Sequence, residues 1–323
     1  MKKFIKIKAT AAIAVLCSIF QAGHANDCCF ENDCCNEWYA IFENVIVKPH
    51  FTRNNAYFLE DPPGISGQKA VQFDWDYCYS PRFELGWKGD CNVGARVRYW
   101  HFDNDNEIHA VDSNGDIASF FSDDSSDDIG FSGSSEARFR HDLELNVLDL
   151  EGTVECGCWI YSAGIRYAKI EQDYFGENLS STGEIKSNHD FKGWGLTMAA
   201  EYLRPIKCDF SFFTKARGSL LYGDSDWVAF NPDPVSEGYL SSSNDCDLQA
   251  VGELQIGIDW RRCFCGDKIA FIRFAGEAQY WANGGAAGPG CNAVYDEGNY
   301  QNSHPQDSGL GFIGFNIAIG VIF

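Results

Sequence analysis

The sequence predicts an all-β chain, a transmembrane antiparallel β-barrel of about ten strands, or twelve if the longest loops hide a further pair. Three observations carry this prediction. The chain closes on Gly309–Phe323, an uninterrupted period-two segment that ends in an aromatic residue. Its strand candidates are joined alternately by tight turns and by long polar loops. It opens on an export signal, and no later segment approaches the ~20 consecutive apolar residues that a membrane helix needs.

The signal occupies residues 1–25. Lys2, Lys3, Lys6 and Lys8 form a basic start, Ala9–Phe20 is a short apolar run, and Gly23 and Ala25 are small enough for cleavage before Asn26. Leu16 stands before Cys17 where lipidation needs a small residue, so no lipid anchor is expected. Losing those lysines takes the formal charge from −21 to −25. That acidity excludes nucleic acid and anionic lipid as default partners. An apolar content of 45% excludes a disordered chain. The mean hydropathy of −0.26 decides nothing, because lipid-facing and lumen-facing residues of a barrel average out.

After a cysteine-rich periplasmic tail (26–37), the barrel is expected over 38–323. Its strand candidates are Trp38–Lys48, Asp74–Lys88, Asn92–Phe102, His141–Val154, Trp159–Glu171, Asp190–Leu203, Asp209–Tyr222, Asp247–Trp260, Lys268–Trp281 and Gly309–Phe323. In the second, Trp75, Tyr77, Tyr79, Phe83, Leu85 and Trp87 share a face opposite Asp76, Arg82 and Glu84. In the seventh, Phe210, Phe212, Ala216, Leu220 and Tyr222 oppose Lys215 and Arg217. In the eighth, Leu248, Leu254, Ile256, Ile258 and Trp260 oppose Glu253, Gln255 and Asp259. The fourth changes phase, from Leu143, Leu145 and Val147 to Leu148, Leu150 and Val154, which suggests a β-bulge near Val147. In the last, Ile313, Phe315, Ile317, Ile319, Val321 and Phe323 form one apolar face.

Tight connections fall at 88–92, 155–159, 205–209 and 261–268, and long ones at 49–73, 103–140, 172–189, 223–246 and 282–308. Short periplasmic turns with long extracellular loops are the pattern of an outer-membrane barrel. Trp87, Trp159 and Trp260 fall near the tight turns and Tyr99, Tyr222 and Tyr280 near the long loops, as two interfacial girdles require. The chain is thus expected in the outer membrane of a Gram-negative bacterium, in contact with its lipid and with the barrel assembly machinery. Phe323 is the expected assembly signal.

The segment from Phe83 through GWKGDCNVGARVRYWHF to Asp103, the strand Leu145–Gly152 and the alternating stretch Phe191–Glu201 resemble the Legionella-type major outer-membrane protein family, as does the closing strand. The similarity is spread over residues 38–323 and implies an outer-membrane channel for small solutes. The many cysteines depart from that pattern and look like those of the major outer-membrane proteins of chlamydia-like bacteria.

The strand parity puts Arg82, Glu84, Arg96, Arg98, Arg166, Lys215, Arg217, Glu253, Arg273 and Glu277 inside as candidate pore-lining residues, together with Asp142, Glu144, Glu201 and Asp259. They are either an ion-filtering constriction or an ion-paired filling that stiffens a narrow barrel. Of 14 cysteines, Cys91, Cys156, Cys158, Cys208, Cys263 and Cys265 fall in tight turns. Cys28, Cys29, Cys34 and Cys35 fall in the tail, so all ten face the oxidising periplasm as disulfide candidates. They either staple turns within the chain or join it to envelope neighbours or to a second copy. Cys78 is expected in the lumen. The tail motif CCFENDCC also suits zinc, but exported thiols oxidise, and no metal or cofactor is expected.

Catalytic signals are weak: the seven histidines are scattered, with no HExxH and no GxSxG, and no enzyme is expected. A Ser/His/Asp site assembled from separated residues stays open as an alternative. The expected function is a porin-like channel for passive diffusion of small hydrophilic solutes or ions. The alternatives are a plugged structural or adhesive barrel cross-linked by disulfides, and a secreted soluble sandwich.

Overall fold

The first and last strands, β1 (Glu37–Phe51) and β14 (Leu310–Ile322), pair antiparallel from Tyr39↔Ile322 to Phe51↔Leu310 and so close a barrel. The computed structural model describes residues 36–60, 68–89, 92–121, 129–207, 209–232, 239–264, 268–289 and 308–323. The expected signal peptide and Cys28, Cys29, Cys34, Cys35, Cys91, Cys208 and Cys265 lie outside them.

The other wall strands are β4 (Cys78–Lys88), β5 (Val93–Val111), β8 (Glu136–Cys156), β9 (Trp159–Asn178), β10 (Glu184–Lys207), β11 (Phe210–Phe230), β12 (Tyr239–Phe264) and β13 (Lys268–Trp281). They run β1-β14-β13-β12-β11-β10-β9-β8-β5-β4 around the closed barrel. Ten strands is the expected count. The remaining four, β2 (Asn55–Glu60), β3 (Gln68–Gln72), β6 (Ile117–Phe121) and β7 (Ile129–Ser134), form a separate sheet in the order β3-β2-β6-β7. That sheet is built from the first two long connections.

The strands reach much further past the long-loop end than the apolar alternation indicated. Residues 103–111 continue β5 and 136–140 belong to β8, while β9 and β10 absorb most of the expected loop 172–189. The reason shows in two neighbouring register rows. Tyr99, Leu148, Tyr167, Trp194, Tyr222 and Leu248 are cross-strand partners in one outward row, all exposed or partly so. A few residues further out, Phe102, Leu145, Ile170 and Phe191 form a continuous row that points inward and is fully buried. The wall is therefore apolar outside where lipid covers it, and apolar inside where it rises beyond the lipid.

This inversion replaces the expected bulge. Strand β8 pairs without a register shift with β5 and with β9, and what looked like a change of phase at Val147 is the level at which the apolar face changes sides. The irregularities of the barrel wall lie instead at Pro205/Lys207 and Gly223/Ser225. The same inversion corrects two side chains. Asp142 and Glu144, expected in the lumen, alternate with buried His141, Leu143 and Leu145 and so point outward. Trp75, expected on the lipid face, is buried and donates its indole N–H to Asn54 Oδ1 at 2.9 Å.

At the tight-turn end a second aromatic level comprises Trp38 opposite Trp87, Trp159 opposite Tyr202, and Phe210 opposite Trp260. Between the two levels the outward face of β14 is Ile313, Phe315, Ile317, Ile319 and Val321, as expected. Tyrosine and tryptophan belong at such boundaries because one end of the ring is apolar and the other polar.

Candidate functional site

The lumen is filled in two layers. At the level of the lipid belt the filling is ionic. Arg82 bridges Glu43 at 2.7 Å and Glu277 at 2.6 Å, from β4 across to β1 and β13. Arg96 reaches Glu151 at 2.6 Å and Glu201 at 2.5 Å. Arg166 holds Asp149 and Glu253, each at 2.6 Å, and Arg98 contacts the same two carboxylates at 3.5 and 3.3 Å. Arg217 pairs with Glu151, Lys215 with Glu201 at 3.0 Å, and Arg273 with Asp259 at 3.1 Å. Arg273 also lies over the Phe213 ring, 3.7 Å from its centroid. All these side chains are at most 9% exposed.

Glu84 lies 3.4 Å from Arg96 and 3.8 Å from Lys215, so all ten candidate pore-lining residues face inward and each is ion-paired there. Sequence reasoning missed Glu43, Asp149 and Glu151. The last two alternate with Leu148 and Leu150 on β8, so they were legible once the phase of that strand was known. Gln255 and Asn316, which donate to Glu277 at 3.0 and 2.7 Å, carried no signal beyond strand parity.

Beyond the belt the filling is apolar. The small sheet packs on the inward face of the wall: Tyr57 of β2 and Phe131 of β7 stack on Phe139 of β8, at 5.0 and 5.9 Å between ring centroids. Phe121 of β6 meets Trp227 of β11 at 5.5 Å. The Tyr174 hydroxyl of β9 donates to the Ala56 carbonyl at 2.7 Å and shares a hydrogen bond of 2.6 Å with Ser119. Asn54 secures the return of the chain by donating to the Phe73 carbonyl at 2.6 Å.

A further insert, residues 282–289, enters after β13. Gln172 of the wall donates to the Gly284 carbonyl at 2.9 Å and accepts from the Ala287 N–H at 3.3 Å. Gly285 has φ +70°, and a Cβ there would stand 2.0 Å from the His189 ring, so only glycine fits.

Outside the wall, just beyond the lipid belt, Asp103, Glu144, Glu171, Asp190 and Asp226 are successive cross-strand partners on five strands. Like charges directly opposite destabilise a sheet. Partial burial, and then the facing carboxylates, raise the carboxyl groups of Asp173 and Asp190 above the usual range. The acidic residues expected in a loop at 103–107 are thus part of strand β5.

At the tight-turn end Cys156 and Cys263 are exposed and Cys158 is buried. Cys263 is a free thiol. Cys78 is also free; its parity is inward as expected, but it sits half-buried at the outer end of β4, where its Sγ donates to the Asp103 carbonyl at 3.1 Å. No group of three or more metal-ligating side chains occurs among the described residues. Phe323 exchanges two backbone hydrogen bonds of 2.8 Å with Trp38. A Ser/His pair does occur, His189 Nε2 to Ser225 Oγ at 3.2 Å. Both residues are buried under the 282–289 insert, and an amide, Gln172, stands where a triad has a carboxylate.

The profile of a family described as Legionella pneumophila major outer membrane protein precursor matches residues 33–283. None of the curated proteins matches the chain. Among solved structures, the chain is similar to the outer membrane protease OmpT from Escherichia coli, with 12% identity, 90% of this chain and 97% of that chain covered, and a TM-score of 0.42. It is also similar to the toluene transporter TodX of P. putida, with 8% identity, 91% and 90% covered, and a TM-score of 0.33.

Proposed function

Because the chain belongs to the Legionella pneumophila major outer membrane protein family, and so lies in the outer membrane, we propose that it is a barrel held shut at rest, a plugged envelope scaffold rather than an open diffusion pore. The observation that carries this reading is the ionic network. A barrel of about eight strands is just filled by side chains, and ten leave little more room. In a hydrated channel the luminal guanidinium groups would be wet on one side, whereas Arg82 and Arg166 are 0% and 1% exposed. The apolar sheet then covers that layer on the long-loop side.

The scaffold does its work at its two ends. On the periplasmic side the reading is a disulfide-linked rim. The disulfide bonding of buried Cys158 and the exposure of Cys263 support it, the first as a staple and the second as a thiol for an envelope neighbour or a second copy. No catalytic role is proposed, because the Ser/His pair found among the described residues lies where no substrate reaches it. The solute channel that the sequence favoured is the second reading. In its favour stands the family resemblance, and it needs both layers to move.

Conductance of the purified full chain in planar bilayers at neutral pH tests the choice. The expected record shows no discrete steps for the wild type, and steps in a variant whose plug sheet and luminal charges are both removed. Regular steps from the wild type would overturn the plugged reading.

A further inference from the structure

Two histidines of the wall stand under the two luminal inserts. His141 of β8 lies beneath the segment 51–75 that carries β2 and β3. Its ring is 5.3 Å from Phe51, 5.6 Å from Phe73 and 5.2 Å from Trp75, and neither ring nitrogen has a hydrogen-bond partner. His189 of β10 lies beneath 282–289, in contact with Gly285 and bonded to Ser225. Both are 1% exposed, and both stand beyond the lipid belt, since on their own strands the belt ends at Leu148 and Trp194.

We infer that His141 and His189 form an acid-sensitive latch: neutral, they let the two inserts seat on the wall, and protonated, each releases the insert above it. This rests on the plugged reading and adds its regulation. The ground is geometric. An imidazolium at either position would be a buried charge with no counter-charge bonded to it, which a folded chain avoids by opening.

The surroundings offer little relief. The 51–75 segment brings three aromatic rings to His141; its charged residues are Arg53, Glu60, Asp61, Lys69 and Asp74, the last exposed and bound to Lys48. The 282–289 insert has no titratable residue. Strand β9 brings Gln172 and Tyr174, and the plug strand β6 brings Ser119 and Phe121. Asp142, Asp173, Asp190 and Asp226 alternate to the outside of the wall. Among the described residues no carboxylate bonds either ring; Asp226, from outside the wall, offsets only part of the effect of burial at His189, and each histidine when charged opposes protonation of the other.

Burial pushes both histidines down to about 4 from an ordinary value of 6.5. A folded value below the free one means that their contribution is intact above about pH 6.5 and is lost as the pH falls towards 4. At about pH 5 this shifts the balance between seated and released inserts about thirtyfold per histidine. What the release uncovers is an aromatic surface comprising Phe51, Phe73, Trp75 and Phe121.

Hydrogen–deuterium exchange of the full chain in lipid vesicles, at about pH 7.5 and about pH 5 and corrected for intrinsic exchange, reads this directly. At the lower pH, residues 51–75 and 282–289 are expected to lose protection while β12–β14 keep theirs. His141→Phe should abolish the acid response of 51–75 alone, and His189→Gln that of 282–289 alone. If His141→Phe does not give the folded, heat-modifiable form, His141→Gln, neutral at every pH, takes its place. Equal protection at both pH values in the wild type, or variants that respond as the wild type does, would overturn the latch and leave the plugged reading standing. Free exchange of both segments already at neutral pH would overturn both.

Discussion

The hydroxyl of Tyr174, on the wall, donates a hydrogen bond of 2.7 Å to the carbonyl of Ala56, on the plug, and both residues are buried. It is a direct polar tie between two sheets that meet mostly through apolar rings, beside the hydrogen bonds of Ser119 with Tyr174 and of Ser134 with Asn178. Tyr174→Phe keeps the ring and removes the tie, leaving a buried carbonyl and Ser119 short of a partner. The plug should loosen by about 1–3 kcal/mol. Faster amide exchange across 55–60 with unchanged exchange in β12–β14 is the expected result.

Arg82 joins Glu43 and Glu277 inside the belt, and Arg82→Met leaves two buried carboxylates facing each other. Breaking one side of such a pair costs about 3–5 kcal/mol. The temperature at which the folded band converts to the unfolded one on gels should fall. Adding Glu43→Gln and Glu277→Gln should recover most of the loss, because a neutral set has no charge to strand.

Deleting Phe323 removes a pair of backbone hydrogen bonds with Trp38 at the seam where the sheet closes. The rest of the β1–β14 ladder stays, so the molecules that do fold should be nearly as stable as the wild type. The expected defect is in yield: less protein in the outer-membrane fraction, with normal heat modifiability of what arrives.

The outward row Asp103, Glu144, Glu171, Asp190 and Asp226 sets like charges side by side. Raising salt from 0.1 to 1 M shortens the screening length from about 10 Å to about 3 Å. The part of the barrel beyond the lipid should therefore gain protection from exchange with added sodium chloride. Glu171→Gln, which leaves Asp190 a neutral partner, should blunt that gain.

Cys263 is an exposed free thiol at the tight-turn end. High-mass species on non-reducing gels of whole envelopes should collapse on thiol reduction and weaken in Cys263→Ser. A single monomer band in untreated wild-type envelopes would rule out cross-linking through this residue.

The wall was legible to different depths along one strand. In β12 the alternation from Leu248 to Trp260 shows both the strand and its lipid face, because one environment holds over the whole segment. In β8 the environment changes midway, so a pattern read for a single apolar face took a membrane boundary for a bulge. Trp75 was misplaced for a related reason: aromatic residues suit a girdle and a plug equally well, and period two does not separate them. The plug sheet left almost no trace. Its strands are short, and β2 meets β6 through only Phe58↔Ala118 and Leu59↔Ile117, far apart along the chain.

The sequence by itself determined the ten wall-strand candidates, with a further pair left open, their order of turns and loops, and the inward placement of all ten charged candidates, because strand parity is a local property fixed by the backbone. Only the tertiary structure decided how the lumen is filled. Whether Arg82 lines water or grips Glu277 depends on a partner 195 residues away, and on how much space a closed ring of ten strands leaves between them. Charge and alternation are written residue by residue, whereas the volume inside a barrel exists only once the wall has closed.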